Sequence, residues 1–582
     1  MNELLAAARG DAPCDLVIRN GRVANVLSLE YEEADVAIHK GVIVGVGKGY
    51  AAKETADASG CVLIPGMIDG HLHIESTMLT PAAFADAVLP RGTTTVLPDP
   101  HEIANTCGMA GIEFMWRDSL RSPLDIFFAA PSCVPASSFE TPREEIDASE
   151  LVDAFNSCCC THLGEMMNYP GVIGGDPAVW AKITSASKQV KTAHLPGVTG
   201  RALCAYLLSG CNGDHESNFA DEALEKLRRG VWVMLREGAT EHNLEETARI
   251  ILEDEARHSR CMAVSDDLTA DYILRLGHMD HKVRLMIGLG IRPLVALAMV
   301  TINPAQYFRM WDRGAIAPGM IADIAMVDSP ENCRALRVWK RGRLVAENGD
   351  ILRSAGPPPA AELPVSDTRR ITVNEDSFRI PAREGYDIRV VSVIPGSVLT
   401  RHLAITPTVR GGLLTADPKR DLAKMVVIEK NRGTGRVAVG FASGFGLKRG
   451  AFASSVAHDA HNFVAVGMDD ASLASALRFL AKNGGGLAAA ADGEVIASFA
   501  LPIGGLMSDR EPAYVADAVS SMEKTVAELG VSIGHPFMAL SFLSLSVIPE
   551  LKLTDQGYVD LSRGGAQDLF ALHNDITGGS QS

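Results

Sequence analysis

Two histidines separated by one residue, His71 and His73, close a short apolar run that opens at Pro65-Gly66. On an extended strand successive side chains point to opposite faces, so these two imidazoles share a face. Paired imidazoles at a strand end make half of a site for a divalent transition metal. Other groups of the same chemistry follow. They are Asp99-Pro100-His101-Glu102, Glu165 with Asn168 three residues on, His194, Asp214-His215-Glu216, Glu237, and Ser265-Asp266-Asp267. Taken singly, each has an ordinary explanation. His194 or His215 could be a hydrogen-bonded structural histidine, Glu165 an ion-pair partner, and Asp266 a helix cap.

The elements that must position these groups give them a common direction. Apolar β-like segments at 67–73, 93–97, 125–130, 161–165, 190–194, 212–215, 231–236 and 262–266 alternate with helical patterns such as 221–229 and 244–257. Eight βα units in about 250 residues predict an α/β fold with a TIM-like (β/α)8 barrel over 65–315, in which the C-terminal strand ends converge on one face. An open doubly wound sheet is the alternative, but no Gly-x-Gly-x-x-Gly follows the first strand to give it a dinucleotide site. In the barrel reading, strand ends one, four, five, six and eight carry His71 and His73, Glu165, His194, His215 and Asp266. Four imidazoles and two carboxylates can hold two divalent cations with one carboxylate bridging. Such cations lower the pKa of a shared water, so hydroxide is present near neutral pH. An aspartate at the eighth strand can take that water's proton and pass it to a leaving group.

The flanks read differently. Residues 16–23, with Asn20-Gly21, carry a hairpin signal, and 36–38 and 42–44 flank Lys40-Gly41 in the same way. A second β-rich set at 323–327 and 338–345 predicts one small β-domain built from 1–64 plus 316–355. A Pro-rich linker at 356–361 leads to a further α/β domain at 365–582, with strands at 388–393, 424–429 and 436–439 and helices at 471–481 and 514–529.

The 582-residue chain has a net charge of −17, which argues against a nucleic-acid partner because phosphate binding needs a basic surface. Its start lacks the pattern of a signal peptide, and apolar stretches such as 540–548 fall short of the ~20 residues a membrane span needs, so a cytoplasmic location without membrane contact is expected. All 11 cysteines lie at or before Cys333, an odd, clustered set that is no disulfide framework. With no Cys-x-x-Cys pair in the chain, Cys158-Cys159-Cys160 reads as small residues packing a helix.

The strand-end pattern, the flanking β-domain and Asp266 together resemble the amidohydrolase superfamily. Within it, Asp69-Gly70-His71-Leu72-His73-Ile74-Glu75-Ser76-Thr77-Met78 is similar to the opening motif of the bacterial adenine deaminase family. So are Asp99-Pro100-His101-Glu102-Ile103-Ala104-Asn105, Met166-Met167-Asn168-Tyr169-Pro170-Gly171-Val172 and Ser265-Asp266-Asp267. Gly504-Gly505-Leu506-Met507-Ser508 and Gly534-His535-Pro536-Phe537 resemble that family's C-terminal domain, so the likeness spans nearly the whole chain.

The resemblance implies metal-dependent conversion of adenine to hypoxanthine and ammonia. It implies two cations, manganese or iron, with zinc a further possibility, in a homo-oligomer, a dimer or tetramer. By motif His71, His73, Glu165, His194, His215 and Asp266 are the ligands, with Asp266 also the proton shuttle. Many amidohydrolases place a carboxylated lysine where Glu165 stands. Lys191 lies nearby in sequence but just before the His194 strand end, so Glu165 is the expected bridge. Attack at carbon 6 puts charge on the adjacent ring nitrogen, which needs a proton donor, and Glu102, Glu216 and Glu237 are candidates. His101, Glu216 and Asn168 are candidate substrate contacts, with His101 also open as a ligand or loop cap. The segment 457–462, with His458 and His461, could form a second metal site or close over the barrel mouth. Other readings are an amidohydrolase acting on a cyclic amide or a different aminated ring, and a non-catalytic scaffold, which would lack the ligand set. His73-Ile74-Glu75 fits the His-x-Glu of zinc cytidine-type deaminases, but the Pro-Cys-x-x-Cys they require does not occur.

Overall fold

The structure is a computed structural model that describes residues 1–157, 159–364 and 368–572. The site rests on a set of parallel strands. We label them β1 (Met67–His73), β2 (Thr93–Pro98), β3 (Asp125–Ile126 continued by Phe128–Ala130), β4 (Cys160–Met166), β5 (Lys191–Ala193), β6 (Gly213–Asp214), β7 (Trp232–Arg236) and β8 (Cys261–Val264 continued by Asp266–Asp267). Each pairs in parallel with the next, from Ile68 opposite Thr95 to Met234 opposite Met262. The second part of β8 pairs with β1, Asp266 opposite Leu72 and Asp267 opposite His73. Every residue of β1 and β2 is buried, which is why both read as near-continuous apolar runs.

Strands β3 and β8 are each interrupted once, so the ladders divide into a six-stranded and a four-stranded sheet. In β8 the interruption is sharp. Asp266 has φ +59°, a left-handed conformation that costs a non-glycine residue free energy and that aspartate tolerates better than most. That turn carries Asp266 from the β7 side to the β1 side.

The flanking segments form one nine-stranded sheet, joined where Ile324–Val327 runs antiparallel to Val62–Pro65. Lys40-Gly41 and Arg341-Gly342 both have positive φ and turn two hairpins as expected. Asn20-Gly21 does not. Residues 16–23 lie within a single strand, Cys14–Asn25, whose register against Glu30–His39 shifts between Ile18 and Gly21. Asn20 adopts φ +60° there and its backbone N–H donates to Asp35 Oδ1 at 3.0 Å, so the pair makes a bulge rather than a turn.

The C-terminal region holds a second nine-stranded sheet, largely antiparallel. Its strand Ala423–Ile428 is buried at every residue because both faces are covered. Val426 and Ile428 pack with helix Asp470–Asn483, whereas Met425 and Val427 belong to an apolar cluster continuous with Leu72, Ile103 and Leu163 of the parallel strand region. The two regions therefore share a core. The cysteine run is also placed differently from expectation: Cys160 opens β4 and is buried, because helix Ala148–Asn156 has already ended. Cys158 lies outside the described residues.

Candidate metal centre and its cavity

The expected ligands converge. Glu165, at the end of β4, divides its two oxygens between two histidine pairs. Oε1 lies 3.3 Å from His73 Nε2 and 3.9 Å from His71 Nε2. Oε2 lies 2.7 Å from His194 Nδ1 and 3.3 Å from His215 Nε2. Asp266 Oδ1 stands 3.4 and 3.2 Å from the Nε2 atoms of His71 and His73, and its Oδ2 accepts from Arg236 Nη1 at 2.8 Å. All six side chains are buried. His71-His73-Glu165, Glu165-His194-His215 and His71-His215-Asp266 each bring three ligand atoms within 4.8 Å of one another.

The donor set fits divalent cations. Buried polar atoms are ordinarily paired, yet His71 Nε2, which faces Glu165 and Asp266, has no hydrogen-bond partner. His73 Nδ1 lies 3.0 Å from the carbonyl of Asp99, so it carries the proton and turns its Nε2 lone pair to the cluster, the orientation a ligand needs. The carboxylate of Asp99 accepts the Glu165 N–H at 2.8 Å, so one residue seats both His73 and Glu165. Gly164 makes this possible, because a Cβ there would run into that carboxylate.

The charges support one another. Burial alone would raise the pKa of Glu165, but His215 and His194 hold it well below the ordinary range. Burial also opposes ionisation of Asp266, which His215, His71, His73 and Arg236 pull well below its usual value. Glu216, 3.3 Å from His215 Nε2 and hydrogen-bonded to Arg236, is held at about 2 against the effect of burial, chiefly by Arg236 and His194.

Glu102 lies beneath the cavity. Ser76 Oγ contacts both Glu102 Oε1, at 2.8 Å, and Asp267 Oδ1. One hydroxyl has a single proton, so Ser76 donates to one of these carboxylates at a time. Burial raises the pKa of Glu102 and the neighbouring His458 lowers it. His101 lies between Glu165 Oε1, Asp99 Oδ1 and Asp459 Oδ1, at 3.7, 3.6 and 3.7 Å, and lines the cavity with Glu216.

Two expected contacts are not brought to the site. Glu237 bonds His242 Nδ1 at 2.6 Å and does not line the cavity; Glu241, four residues on, does. Asn168 caps helix Tyr169–Gly174 by accepting the Gly171 N–H, a local role its position three residues before Gly171 explains.

The C-terminal region supplies the rest of the wall. Val398, Phe542, Leu545 and Ile548 form an apolar side, and His458 and Asp459 a polar one. Glu102, His458 and His461 lie close enough to hold a cation. However, His461 Nδ1 accepts the Ala457 N–H at 3.0 Å, which puts the ring proton on Nε2, facing Glu102 at 3.7 Å. In that tautomer His461 turns an N–H toward Glu102 rather than a lone pair toward a metal. Nothing in the spacing of the apolar wall residues marks them in the sequence. Arg236 and Glu241 carried a weak signal as charged residues at the end of β7.

The Amidohydrolase family model matches residues 62–345, and that of the Adenine deaminase C-terminal domain matches 397–564. The chain is 43% identical to the adenine deaminase of Oleidesulfovibrio alaskensis over 97% of its own length and 98% of that protein's. It is 42% identical to adenine deaminase 2 of Carboxydothermus hydrogenoformans, with the same coverage. The chain belongs to the adenine deaminase family. The two matched regions of this adenine deaminase family member meet at the cavity, one bringing the histidines and carboxylates of the strand ends, the other the apolar wall. Among the described residues, no helix is long and apolar enough to cross a membrane.

Proposed function

We infer that the protein is an adenine deaminase, hydrolysing adenine to hypoxanthine and ammonia. The observation that carries this reading is the kinship along the whole chain, joined to the buried His/Glu/Asp constellation at the strand ends. We read the parallel strands as one closed (β/α)8 barrel over 65–315, with a β-domain from 1–64 plus 316–355 and a C-terminal domain from 365. Two cations, manganese or iron with zinc as an alternative, would be held by His71, His73 and Asp266 on one side and His194 and His215 on the other, with Glu165 between them. Bound there, they supply a water acidic enough to yield hydroxide near neutral pH.

This chain's residues do the rest. Asp266, an ionised carboxylate anchored by Arg236, takes the water's proton and delivers it to the departing amine. Asp99 and Gly164 fix His73 and Glu165 in register. The apolar wall of Val398, Phe542, Leu545 and Ile548 suits the faces of a flat heterocycle and keeps bulk water from the reacting carbon. The family also grounds an expectation of an even-numbered homo-oligomer in the cytoplasm.

The test is ammonia release by metal-loaded protein from adenine, guanine, cytosine, adenosine, dihydroorotate and hydantoin, with metal content measured in parallel. Turnover of adenine above the others is expected. Metal-loaded protein inert on adenine would sink the reading.

A further inference from the structure

Addition of oxygen at carbon 6 drives electrons onto the neighbouring ring nitrogen, N1, which must receive a proton as they arrive. None of the carboxyls singled out in the sequence is placed to give it. Glu237 is turned to His242, Glu216 is an ionised carboxylate clamped by Arg236, and Glu102 lies behind Ser76 and does not line the cavity.

His458 is placed to give it. It comes from the C-terminal region, lines the cavity and is buried. Its ring lies against Phe542, with centroids 5.1 Å apart and planes 19° from parallel, so its orientation is fixed by packing. Nδ1 faces Glu102 Oε1 and Asp459 Oδ1 at 3.7 and 3.6 Å, which draws a proton to that side. Nε2 has no hydrogen-bond partner, although it is buried and only 3.9 Å from Asp267 Oδ2 on the rim of the metal cluster. A buried N–H without an acceptor is costly, and a ring nitrogen with a lone pair in the cavity would satisfy it. Burial disfavours the imidazolium, but Asp267 and Glu102 more than offset this and hold the pKa at about 9, so both ring nitrogens carry protons at neutral pH.

Resting on the adenine reading, we propose that His458 is a catalytic residue that donates its Nε2 proton to N1 of adenine as the oxygen adds to carbon 6. The Nε2–H bond breaks and its electrons stay on the imidazole. The N1–H bond forms, and that proton remains on hypoxanthine. The proton of the new carbon 6 hydroxyl, released as the carbonyl forms and ammonia departs, restores His458 through solvent. Water thus contributes one hydrogen to ammonia and one, by exchange, to the product.

Three measurements test this on the metal-loaded chain. His458→Phe keeps a flat ring against Phe542 but has no N–H, and its kcat on adenine is expected to fall at least ~100-fold with metal content and Tm unchanged. His458→Gln, which keeps a donor, should retain more activity than His458→Phe. The third is a binding measurement on two non-reacting rings. Wild type should bind purine about tenfold more tightly than 1-deazapurine, which lacks the acceptor, and His458→Phe should bind the two alike.

A His458→Phe kcat within about threefold of wild type, or equal wild-type affinity for the two rings, overturns the proposal. So does a collapse confined to Glu241→Gln, which would give the role to that cavity carboxyl. Should His458→Phe not fold, His458→Gln and the wild-type ring pair decide the matter. Wild type that releases no ammonia from adenine but still prefers purine to 1-deazapurine would overturn the reading of function instead.

Discussion

Glu165 and Asp266 each divide two oxygens between two sets of partners, and that division decides what a substitution does. Asp266→Asn keeps the shape and the hydrogen bond to Arg236 through its amide oxygen but cannot accept a proton. Turnover should fall about 10³-fold with circular dichroism unchanged, and activity surviving in Asp266→Asn would remove it as the shuttle. A second residue-scale prediction lies outside the cluster. Lys552 is fully buried and its ammonium donates to the carbonyls of Val398 and Phe542, two residues of the apolar wall. Burial depresses its pKa to about 7. Above that value the folded chain holds Lys552 neutral while the unfolded chain stays protonated up to about 10.4. Unfolding then takes up a proton, so this group's cost to stability is full below pH 7 and shrinks as pH rises to 10. Wild type should therefore gain on Lys552→Met by at most about 1.4 kcal/mol per pH unit across that window, read from denaturant unfolding. Parallel curves would show that the lysine does not titrate there.

At the scale of elements, the tight packing of β4 against the end of β2 sets the ligand geometry. Gly164→Ala would push Asp99 away and release both the Glu165 N–H and the carbonyl that orients His73. Metal affinity should drop about 10–100-fold, as is typical for loss of such supporting contacts, measured by competition with a chromophoric chelator. Unchanged affinity would mean that the strands part to accommodate the methyl group. Much of this layer was legible in the sequence. The β1 segment was found almost to the residue, because apolar runs bounded by Gly and His are rare, and its histidines had to share a face. The breaks in β3 and β8 were not legible, since a single residue leaving a ladder depends on the neighbouring strand. Asn20-Gly21 misled for a related reason: the left-handed conformation it favours serves a bulge as well as a turn. Glu237 and Glu241 were indistinguishable by spacing, because the loop after β7 folds back through the Glu237–His242 bridge.

At the scale of the whole molecule, the parallel strand region and the C-terminal sheet share one apolar cluster. Ending the chain at Gly356 would uncover Ile103, against which Gly504 lies, and its neighbours, and such a fragment should be recovered only in aggregates. A soluble fragment with a cooperative thermal transition would show that the two regions fold separately. Metal loading should raise stability by about 2.7 kcal/mol at a free cation concentration one hundred times Kd, and chelation should reverse it, read as a shift in Tm. Loss of that shift in His73→Ala, with its persistence in His461→Ala, would separate the ligands from the histidine that faces Glu102.

The cavity is lined by two stretches of chain that lie far apart in the sequence and do different work. In the function proposed above, the metal ligands come from the ends of β1 to β8, whereas the apolar surface offered to the flat of the ring comes from Val398, Phe542, Leu545 and Ile548. Substitutions in the second stretch can therefore change which heterocycle is accepted and leave the hydrolytic machinery as it is. Diversifying Val398, Leu545 and Ile548 while holding the histidines fixed is the direct route to deaminases of other aminated rings.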